Sequence, residues 1–521
     1  MKKHPSAESS LIGDIRGGVV SFLVAVPLCL GIALASGVPL FAGIIAGIVG
    51  GLIVGSFSKS ALSISGPEAG LIIVVLSAMD SLGTFSTFLL ATCLAGIIQI
   101  LLGYARAGII SNFFPSSVIK GMLAAIGIIL IFKQIPLLVG YDGDHAEAFT
   151  LFQPDGINIL KQCQWAFAHI NATAILIALI SMGIFFIWEF ILPRKQTSLS
   201  KIPPALIVVA TAVLINTFFQ LFHPAWALKD NHLVQLPVPA DFSGFLKLFT
   251  LPDFSQINNP RVYTAAISIA LVASLEALLS IEATDELDPL SRKTPSNQEL
   301  KAQGIGNLMS GLMGGMPLTS VIVRSSISLN AGARTKRAAL IHGFMLLVCV
   351  ITLPNLLNEI PWAALASILF ITGYRLARIE LFRSQYEAGL VRFLPFITTV
   401  GAILLTDLIA GIAIGMLMSL FFIIRETYLK AHQTYTYEMN GKESIRIRLG
   451  DYVSFLNKAS ISALLDRIPN GTRVEIDYTQ TSYIDSDVQD ILQRFETSAQ
   501  ARNIYLIRLD TNLEIPHFIN R

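Results

Sequence analysis

Charged side chains are scarce in this sequence. Aspartate, glutamate, lysine and arginine supply 14% of the 521 residues, whereas hydrophobic side chains supply 53%. Soluble domains have about a quarter of their residues charged. An ordinary soluble enzyme is therefore excluded, and a polytopic α-helical membrane protein in contact with the lipid bilayer is indicated. The formal net charge is only +2, and we predict no nucleic-acid partner.

Cysteine is also scarce, and the sequence has no recognisable catalytic motif. The four cysteines, Cys29, Cys93, Cys163 and Cys349, are scattered along the chain and predict neither disulfides nor a metal site. No His-Glu-x-x-His motif occurs, no histidine is followed by glutamate, and no nucleophile motif stands out. We therefore predict that the protein is not an enzyme and has no cofactor.

Apolar runs, by contrast, fill most of the first 430 residues. Several of the roughly fourteen runs are too short or too broken for an ordinary span. They cover residues 17–35, 41–57, 66–79, 84–103, 116–139, 172–192, 203–222, 262–281, 300–313, 319–330, 335–354, 361–372, 391–406 and 408–425. This pattern predicts a transmembrane domain over residues 17–430, preceded by a cytoplasmic segment at residues 1–16.

Positive charge is unevenly distributed between the loops. With the N-terminus inside, the inner loops carry lysine and arginine, whereas the outer loop 140–171 carries four acidic residues. The inner-loop residues include Lys59, Arg106, Lys120, Arg194, Lys195, Lys201, Arg292, Lys293, Lys301, Arg334, Lys336, Arg337, Arg375, Arg378 and Arg383. Such a bias is typical of cytoplasmic loops. It predicts cytoplasmic N- and C-termini in a bacterial-type inner membrane.

The composition changes from about Tyr435. Residues 443–449, 473–478 and 504–508 have strand patterns, and residues 453–467 and 486–499 have helical patterns. Strands that alternate with helices are typical of α/β domains. We predict a small cytoplasmic α/β domain over residues 435–521.

Residues 314–330 predict a helix that begins inside the membrane. Glycine and proline precede it, and Thr319 and Ser320 are suitable capping residues. From Thr319 to residue 330 the helix would extend only about 18 Å, against a hydrocarbon core of about 30 Å. Its free N–H groups and dipole would carry about half a positive charge, to which Arg324 adds a whole one. The simplest ligand for such a place is an anion.

A counterpart of this half-helix lies in the first half of the chain. Residues 63–70 (Ser-Ile-Ser-Gly-Pro-Glu-Ala-Gly) precede an apolar run that ends by Asp80. Each short run would be the third of seven segments, so the halves, residues 17–222 and 262–428, would form an inverted repeat of seven plus seven. Paired broken helices mark binding sites in transporters. The alternative is that glycine and proline at 66–67 only kink a full-length helix.

Several motifs resemble those of the SulP family of anion transporters. They are Gly13–Val20 with Val26-Pro27, Ser65-Gly-Pro67, Gln303–Asn307 with Ser310–Gly315, and Gly332–Thr335. The C-terminal piece resembles a STAS domain, including its segment Tyr483–Ser486. The resemblance covers nearly the whole chain. It implies a seven-plus-seven inverted repeat, a core domain that moves against a gate domain, and a homodimer.

The resemblance also suggests a substrate and a coupling ion. Many sulfate-type members have Pro-Gln in the first helix, whereas Pro27-Leu28 resembles the bicarbonate branch. In that branch an acidic and a hydroxyl position help to bind sodium, and they match Glu276 and Ser280, one helical turn apart. Bicarbonate is thus the expected substrate, with sulfate as the alternative, and Glu276 and Ser280 are a candidate Na⁺ site.

Three roles remain open for Glu276. A lone carboxylate inside a membrane costs from about 3 to more than 10 kcal/mol, so it must be paired, protonated or bound to a cation. Glu276 could bind Na⁺, carry a proton, or form a structural ion pair with Arg324. Glu68 has two roles to weigh, as a partner of the helix N-terminus and as a proton-coupling group beside the anion.

Arg324 can bind an oxyanion through two parallel N–H donors. We expect the backbone N–H groups of residues 320 and 321 and the hydroxyl of residue 319 to hold the anion from one side. Ser65 and Gly66 would hold it from the other side. The predicted substrate-binding residues are Ser65, Gly66, Thr319, Ser320, Val321 and Arg324.

The leading hypothesis is a secondary transporter of a small inorganic anion, coupled to sodium or protons. An anion exchanger or channel on the same scaffold is an alternative, and a sensor that signals through the STAS piece is another. By resemblance, Ser486 occupies the position that is phosphorylated in related STAS regulators. It could instead be the N-cap of a helix that begins at Asp487.

Overall fold

The computed structural model describes residues 7–109, 115–141, 159–168, 170–188, 203–238, 248–406, 408–429, 432–439 and 442–509. The chain divides into two compact units, Met1–Gly415 and Met416–Arg521. The acidic residues expected in the outer loop, at positions 142–158, and the basic residues expected at 194–201 lie outside the described residues. The predicted topology thus stays a prediction.

Up to residue 429, the described part of the chain consists of helices, loops and two very short strands. The helices are α1 (Ala7–Ala35), α2 (Leu40–Phe57), α3 (Ala69–Leu82), α4 (Phe85–Tyr104), α5 (Ser116–Leu138), α6 (Ile159–Ala168), α7 (Ala172–Phe186), α8 (Pro204–Phe222), α9 (Pro260–Leu287), α10 (Ser296–Leu312), α11 (Ile322–Asn330), α12 (Arg337–Thr352), α13 (Pro354–Asn358), α14 (Trp362–Leu376), α15 (Ile379–Glu387), α16 (Leu390–Leu405) and α17 (Leu408–Leu429).

Each of the fourteen predicted apolar segments overlaps one of these helices. Within the described part of the chain, seven helices are long and apolar enough to cross a membrane, namely α1, α2, α4, α5, α8, α9 and α17. Four shorter helices, α3, α7, α12 and α16, are also apolar. The count of fourteen membrane segments and the inverted repeat stay predictions.

Local sequence explains where several helices begin and end. Gly83 ends α3 in a left-handed conformation, with φ of 73°, which glycine adopts at little cost. The Thr84 side chain accepts a backbone N–H at the start of α4. Asn259 caps α9 in the same way, and Pro260 is its first residue, a position that has no N–H to satisfy.

The first helix begins earlier than the predicted boundary at residue 16. It starts at Ala7, and Asp14 in its second turn is fully buried. The Asp14 carboxylate accepts the backbone N–H groups of Arg334 and Thr335, at 2.7 and 2.9 Å, and the Thr335 hydroxyl. This carboxylate fastens the start of the chain to the loop between α11 and α12.

Strands β1 (Ser65–Gly66) and β2 (Thr319–Ser320) pair in the antiparallel sense, Ser65 opposite Ser320 and Gly66 opposite Thr319. They stand directly before α3 and α11, so their pairing brings the N-termini of both helices together. The chain between residues 58 and 64 is not helical. A single kinked helix is therefore wrong for the first half, and two separate half-helices are correct.

The second half-helix is shorter than expected and is capped differently. It covers nine residues from Ile322, and its N-cap is Val321, without a side-chain cap. Thr319 and Ser320 lie in β2, so the expectation that they cap the helix is wrong. The reason is that the segment just before the helix is held extended by β1, which leaves only Val321 at the capping position.

Helices α4 and α10 pack closely beside these strands. A Cβ on Gly304 would lie 2.6 Å from the Gly96 carbonyl oxygen, and one on Gly96 would lie 2.4 Å from the Leu308 nitrogen. Only glycine permits such an approach, which is typical of helices packed inside membranes. The two helices therefore form a tight platform next to β1 and β2.

The C-terminal unit is an α/β structure. Its sheet has the order β3 (His432–Met439), β4 (Lys442–Leu449), β6 (Arg473–Asp477) and β8 (Tyr505–Leu509). Strand β3 is antiparallel to β4, and the remaining pairs are parallel. A second small sheet pairs β5 (Tyr452–Val453) with β7 (Tyr483–Ile484).

Two helices, α18 (Lys458–Asp466) and α19 (Ser486–Ala501), complete this unit. Its core contains Ile447, Leu465, Ile476, Leu492 and Phe495 from both strands and helices. The strands and helices predicted from residue 443 onward are confirmed. Strand β3 was not predicted, and residues 510–521 lie outside the described part of the chain.

Candidate functional site

Arg324 is the third residue of α11 and is fully buried. Its Nη2 donates to the Pro67 carbonyl oxygen at 3.2 Å and to the Cys29 Sγ at 3.5 Å. Its Nε and Nη1 have no hydrogen-bond partner among the described residues. The Nη2 nitrogen is thus tethered to the protein, while the N–H groups of Nε and Nη1 remain for a ligand.

Gly66 is the residue of β1 that touches this guanidinium group. A Cβ at this position would lie 2.2 Å from Arg324 Nη1. Any larger side chain would displace the arginine. The glycine of the Ser-Gly-Pro motif is therefore needed for the contact between the first half-helix segment and the cation of the second.

Glu276 lies in the middle of α9 and is also buried. Neither of its carboxylate oxygens has a hydrogen-bond partner among the described residues. A Cβ on Gly70, in the first turn of α3, would lie 1.5 Å from Glu276 Oε1. The carboxylate is thus pressed against the start of the first half-helix, four residues after the glycine that contacts Arg324.

The structure does not show the structural ion pair between Glu276 and Arg324, which was one of the three open roles. Both residues lie in the described part of the chain, and no nitrogen of Arg324 lies within ion-pair distance of a Glu276 oxygen there. A buried charge without a partner is costly. Two such charges of opposite sign, each with unpaired polar atoms, fit a site that takes up ions of both signs.

The other two predicted coupling residues, Ser280 and Glu68, lie on different elements. Ser280 is one turn further along α9 and half-buried, and its carbonyl accepts the Thr284 hydroxyl. Glu68 precedes the first turn of α3 and makes no side-chain cap there. Its Oε2 is buried, with no partner among the residues described. Glu68 thus occupies the N-cap position of α3 without the side-chain hydrogen bond that a capping role would need.

Two of the expected anion donors are occupied by the protein itself. The Thr319 hydroxyl donates to the Ala273 carbonyl oxygen at 3.1 Å, and the Val321 N–H donates to the Ile64 carbonyl oxygen at 2.9 Å. These groups hold β2 against α9 and β1. The expectation that they donate to an anion needs correction, because each group has only one hydrogen to give.

Other N–H groups remain as candidate donors, among them that of Ser320, which the sequence predicted. The first backbone bond of α11 runs from the Ser325 N–H to the Val321 carbonyl, so the N–H groups of residues 322–324 precede the helical bonds. In an antiparallel pair hydrogen-bonded and non-bonded positions alternate. Because Val321 is bonded to Ile64, the N–H groups of Ser320 and Ser65 point away from the partner strand.

A cavity of about 420 Å³ lies beyond the first half-helix, bordered by α3, α5, α9, α16 and the start of α17. Hydroxyl groups of Ser77, Thr264 and Ser268 line it, and Asp80 and Arg261 are at the same end of the helices. Ser268 precedes Glu276 by eight residues on α9, or about 12 Å along a helix. The cavity therefore approaches the buried charges from one side.

The C-terminal unit holds its buried charge differently. Asp477 accepts hydrogen bonds from Arg446, at 2.6 Å, from Arg448, at 3.2 Å, and from the Thr479 hydroxyl and N–H. Burial alone would raise its pKa, but the hydrogen bonds from Thr479 and Arg446 together hold the pKa of Asp477 below its ordinary value. This carboxylate has a structural role.

Ser486 is exposed and is the first residue of α19. The N-cap of this helix is Asp485, whose side chain accepts the Asp487 N–H at 3.0 Å. The alternative in which Ser486 is the N-cap is therefore wrong. A modification of Ser486 stays a prediction.

Two half-helices that meet N-terminus to N-terminus beside a buried arginine define a helical membrane protein of the transporter class. Residues 11–399 match the model of the sulfate permease family, and the chain belongs to this family. It is 27% identical over 416 residues to YvdB of Bacillus subtilis, named as a sulfate transporter. That alignment covers 79% of this chain and 73% of YvdB.

Two further comparisons extend this result. The chain is 28% identical over 422 residues to the bicarbonate transporter BicA of Picosynechococcus sp., covering 78% of this chain and 69% of BicA. Its structure is similar to that of the murine anion transporter Slc26a9 in the inward-facing state. The TM-score is 0.75, with 16% identity over 99% of this chain and 87% of that one. The structural likeness shows the fold alone.

Proposed function

We propose that the protein is a secondary active transporter of a small inorganic oxyanion, with bicarbonate as the first candidate. The anion binds between the N-termini of α3 and α11. Arg324 supplies an N–H donor from Nη1 or Nε, and the hydroxyl of Ser65 and the backbone N–H groups of residues 320 and 322 supply others. Gly66 admits the guanidinium group to this place.

The observation that carries the proposal is the unpartnered face of Arg324. A guanidinium group buried at 0% exposure with two free nitrogens would be costly if it served only to hold helices together. The N–H groups of Nε and Nη1 point to different sides of the guanidinium group, and each side can donate charge-assisted hydrogen bonds to an oxygen of a carbonate-like anion. The helix N-terminus adds a favourable dipole.

Glu276 is the second element of the proposal. Its unpartnered carboxylate oxygens fit a Na⁺ ion, which takes oxygen ligands, and Ser280 is one turn away. Thr319 faces α9 through its bond to Ala273, and its remaining lone pairs suit a cation and not an anion. Proton carriage by Glu276 or Glu68 is the alternative form of coupling.

Access to the site would use the cavity between α3, α9 and α16. With the predicted topology, Asp80 and Arg261 would face the outside, so the anion would enter along the hydroxyl-lined wall. Alternating access would then move the half-helix pair, as a core domain, against a gate domain. We further propose a STAS-type role for the C-terminal unit, a homodimer, and an inner-membrane location with both termini cytoplasmic.

The test is a labelled-anion uptake panel in proteoliposomes. Purified protein is assayed with bicarbonate, sulfate and chloride, each with and without a sodium gradient and each with and without a proton gradient. The proposal expects saturable bicarbonate uptake that needs the sodium gradient. An Arg383→Ala variant, which changes an exposed arginine of α15, serves as the expression-matched control for Arg324→Ala. Equal uptake by wild-type and Arg324→Ala protein would contradict the proposal.

Sulfate transport coupled to protons is the second candidate. It is supported by the relative YvdB, which is named as a sulfate transporter, and by the buried, unpartnered oxygen of Glu68. The same panel separates the two, because a proton gradient in place of sodium would then drive sulfate uptake. Gradient-independent flux of chloride would favour a channel or an exchanger.

A further inference from the structure

Three side chains form a polar row along one face of α10. Glu299, Gln303 and Asn307 are spaced four residues apart, and all three are fully buried. Residues at this spacing lie above one another on a helix. Burying three polar groups in a row is unfavourable unless their hydrogen bonds are satisfied, so their partners indicate what the row is for.

Asn307 holds the chain just before β2. Its Oδ1 accepts the Leu318 N–H at 2.7 Å, and its Nδ2 donates to the Leu318 carbonyl oxygen at 3.0 Å. The Nδ2 also donates to Gln99 Oε1 on α4 at 2.7 Å. This two-way amide pair fixes the position of the strand that leads into the second half-helix.

Gln303 holds β1 through its side chain. Its Nε2 donates to the Ser65 Oγ at 2.8 Å and to Glu299 Oε1 at 2.8 Å. The other Glu299 oxygen accepts the Ser58 hydroxyl. An ionised carboxylate only accepts hydrogen bonds. Glu299 therefore orients the Gln303 amide with its NH₂ group toward Ser65.

The consequence concerns the direction of the Ser65 hydroxyl. Its oxygen already accepts a hydrogen from Gln303, and its own hydrogen has no acceptor among the described side chains and loops. We propose that Gln303 is a positioning residue that keeps the Ser65 hydroxyl as a donor to the anion, with Glu299 fixing the amide. This inference rests on the proposed anion site between the half-helices.

The variant Gln303→Met removes both N–H donors at nearly constant volume. Without them, the Ser65 hydroxyl is free to rotate and donate elsewhere. A hydrogen bond to a charged group contributes about 1.5–3 kcal/mol, so its loss should raise the KM for labelled bicarbonate uptake by about tenfold or more. The maximal rate should change much less, because the hydroxyl binds the anion and does not move the domains.

A double-mutant cycle separates positioning from simple loss of packing. In a Ser65→Ala background no hydroxyl is left to orient, so Gln303→Met should cause no further rise in KM. In a Ser65→Thr background the hydroxyl is kept, and the rise should return. An equal rise in KM in all three backgrounds would overturn the inference.

Two additions keep the test decisive. The variant Gln134→Met makes the same change at a fully buried position of α5 with no hydrogen bond to either strand, and its KM should match the wild type. If Gln303→Met does not fold, Glu299→Gln replaces it, since it frees the amide without changing size. Its KM rise of a few-fold should also vanish with Ser65→Ala.

The outcomes also separate this inference from the proposed function. Wild-type protein that takes up neither labelled bicarbonate nor labelled sulfate would overturn the proposed anion site, and the inference with it. Normal wild-type uptake with a KM that rises independently of Ser65 would overturn the inference alone and leave the anion site standing.

Discussion

The membrane unit and the C-terminal unit each bury charged side chains, but they treat them in opposite ways. Asp477 in the C-terminal unit is surrounded by two arginines and a threonine. Arg324 and Glu276 in the membrane unit keep polar atoms without any partner among the described residues. When a buried charge is fully bonded, removing one of its partners destabilises the fold. A buried charge left open costs stability and is explained by ligands.

We expect the largest effect on transport from Arg324, the open buried charge of the membrane unit. The change Arg324→Ala should abolish anion uptake in proteoliposomes, because it removes the unpaired N–H groups of Nε and Nη1. It should leave the melting temperature unchanged or higher, because it also removes an unpaired buried charge. A loss of uptake accompanied by a large fall in melting temperature would instead assign Arg324 a structural role.

A second effect concerns the coupling ion. The change Glu276→Gln keeps the size of the side chain and removes its negative charge. Anion uptake should then no longer respond to a sodium gradient, or to a proton gradient if protons are coupled. Uptake measured against sodium concentration checks this, with Glu387→Gln on the exposed face of α15 as the control. An unaltered sodium response would contradict the assignment.

A smaller effect is expected from a single methyl group at Gly70. A Cβ there would lie 1.5 Å from Glu276 Oε1, so Gly70→Ala should push the carboxylate aside and raise the apparent KM for the coupling ion about tenfold. The matched control is Gly401→Ala in α16, where the added methyl meets nothing within 4 Å. Equal KM values for both variants would show that binding of the coupling ion does not depend on the position of the Glu276 carboxylate.

In the C-terminal unit, neutralising the buried carboxylate of Asp477 should lower the free energy of unfolding and should leave anion uptake unaffected. The change Asp477→Asn leaves two arginines without their carboxylate, and we expect the unit to lose about 1.5–3 kcal/mol. Amide hydrogen exchange of β6 and β8 in the full-length protein measures this loss. Unchanged protection of these strands would mean that the ion-pair cluster is not structural.

The smallest effect is the pH dependence of this unit. The pKa of Asp477 is lowered in the folded unit, so its contribution is fully present above the unfolded pKa of about 3.9 and is lost as the pH falls below that value. Exchange protection of β6, corrected for intrinsic rates, should therefore decrease on acidification from about pH 5 to about pH 3. The Asp477→Asn variant should show a smaller decrease.

Sequence patterns alone located fourteen of the seventeen helices from α1 to α17, including the two half-helices, because apolar runs and broken segments are local features. They did not predict α6, α13 and α15. The helices of the C-terminal unit were predicted for the same reason. The pairing of β1 with β2 was not predicted, since strands of two residues that lie 254 positions apart have no local pattern. The position of Arg324 against Gly66 also depends on that pairing.

The details of the site could not be read from residue types. Thr319 and Val321 were expected to face the anion, but β2 turns their hydrogens toward Ala273 and Ile64. Gln303 was noticed only as part of a family motif. Its contact with Ser65 depends on the close packing of α4 and α10, which a linear sequence does not display.

The most direct test of the account is a density map of the protein prepared with bicarbonate and sodium. The account predicts anion density within hydrogen-bonding distance of Nη1 or Nε of Arg324 and of the Ser65 hydroxyl, between the starts of α3 and α11. A map in which the guanidinium group is paired with Glu276 or Glu68, with no anion density beside it, would contradict the account.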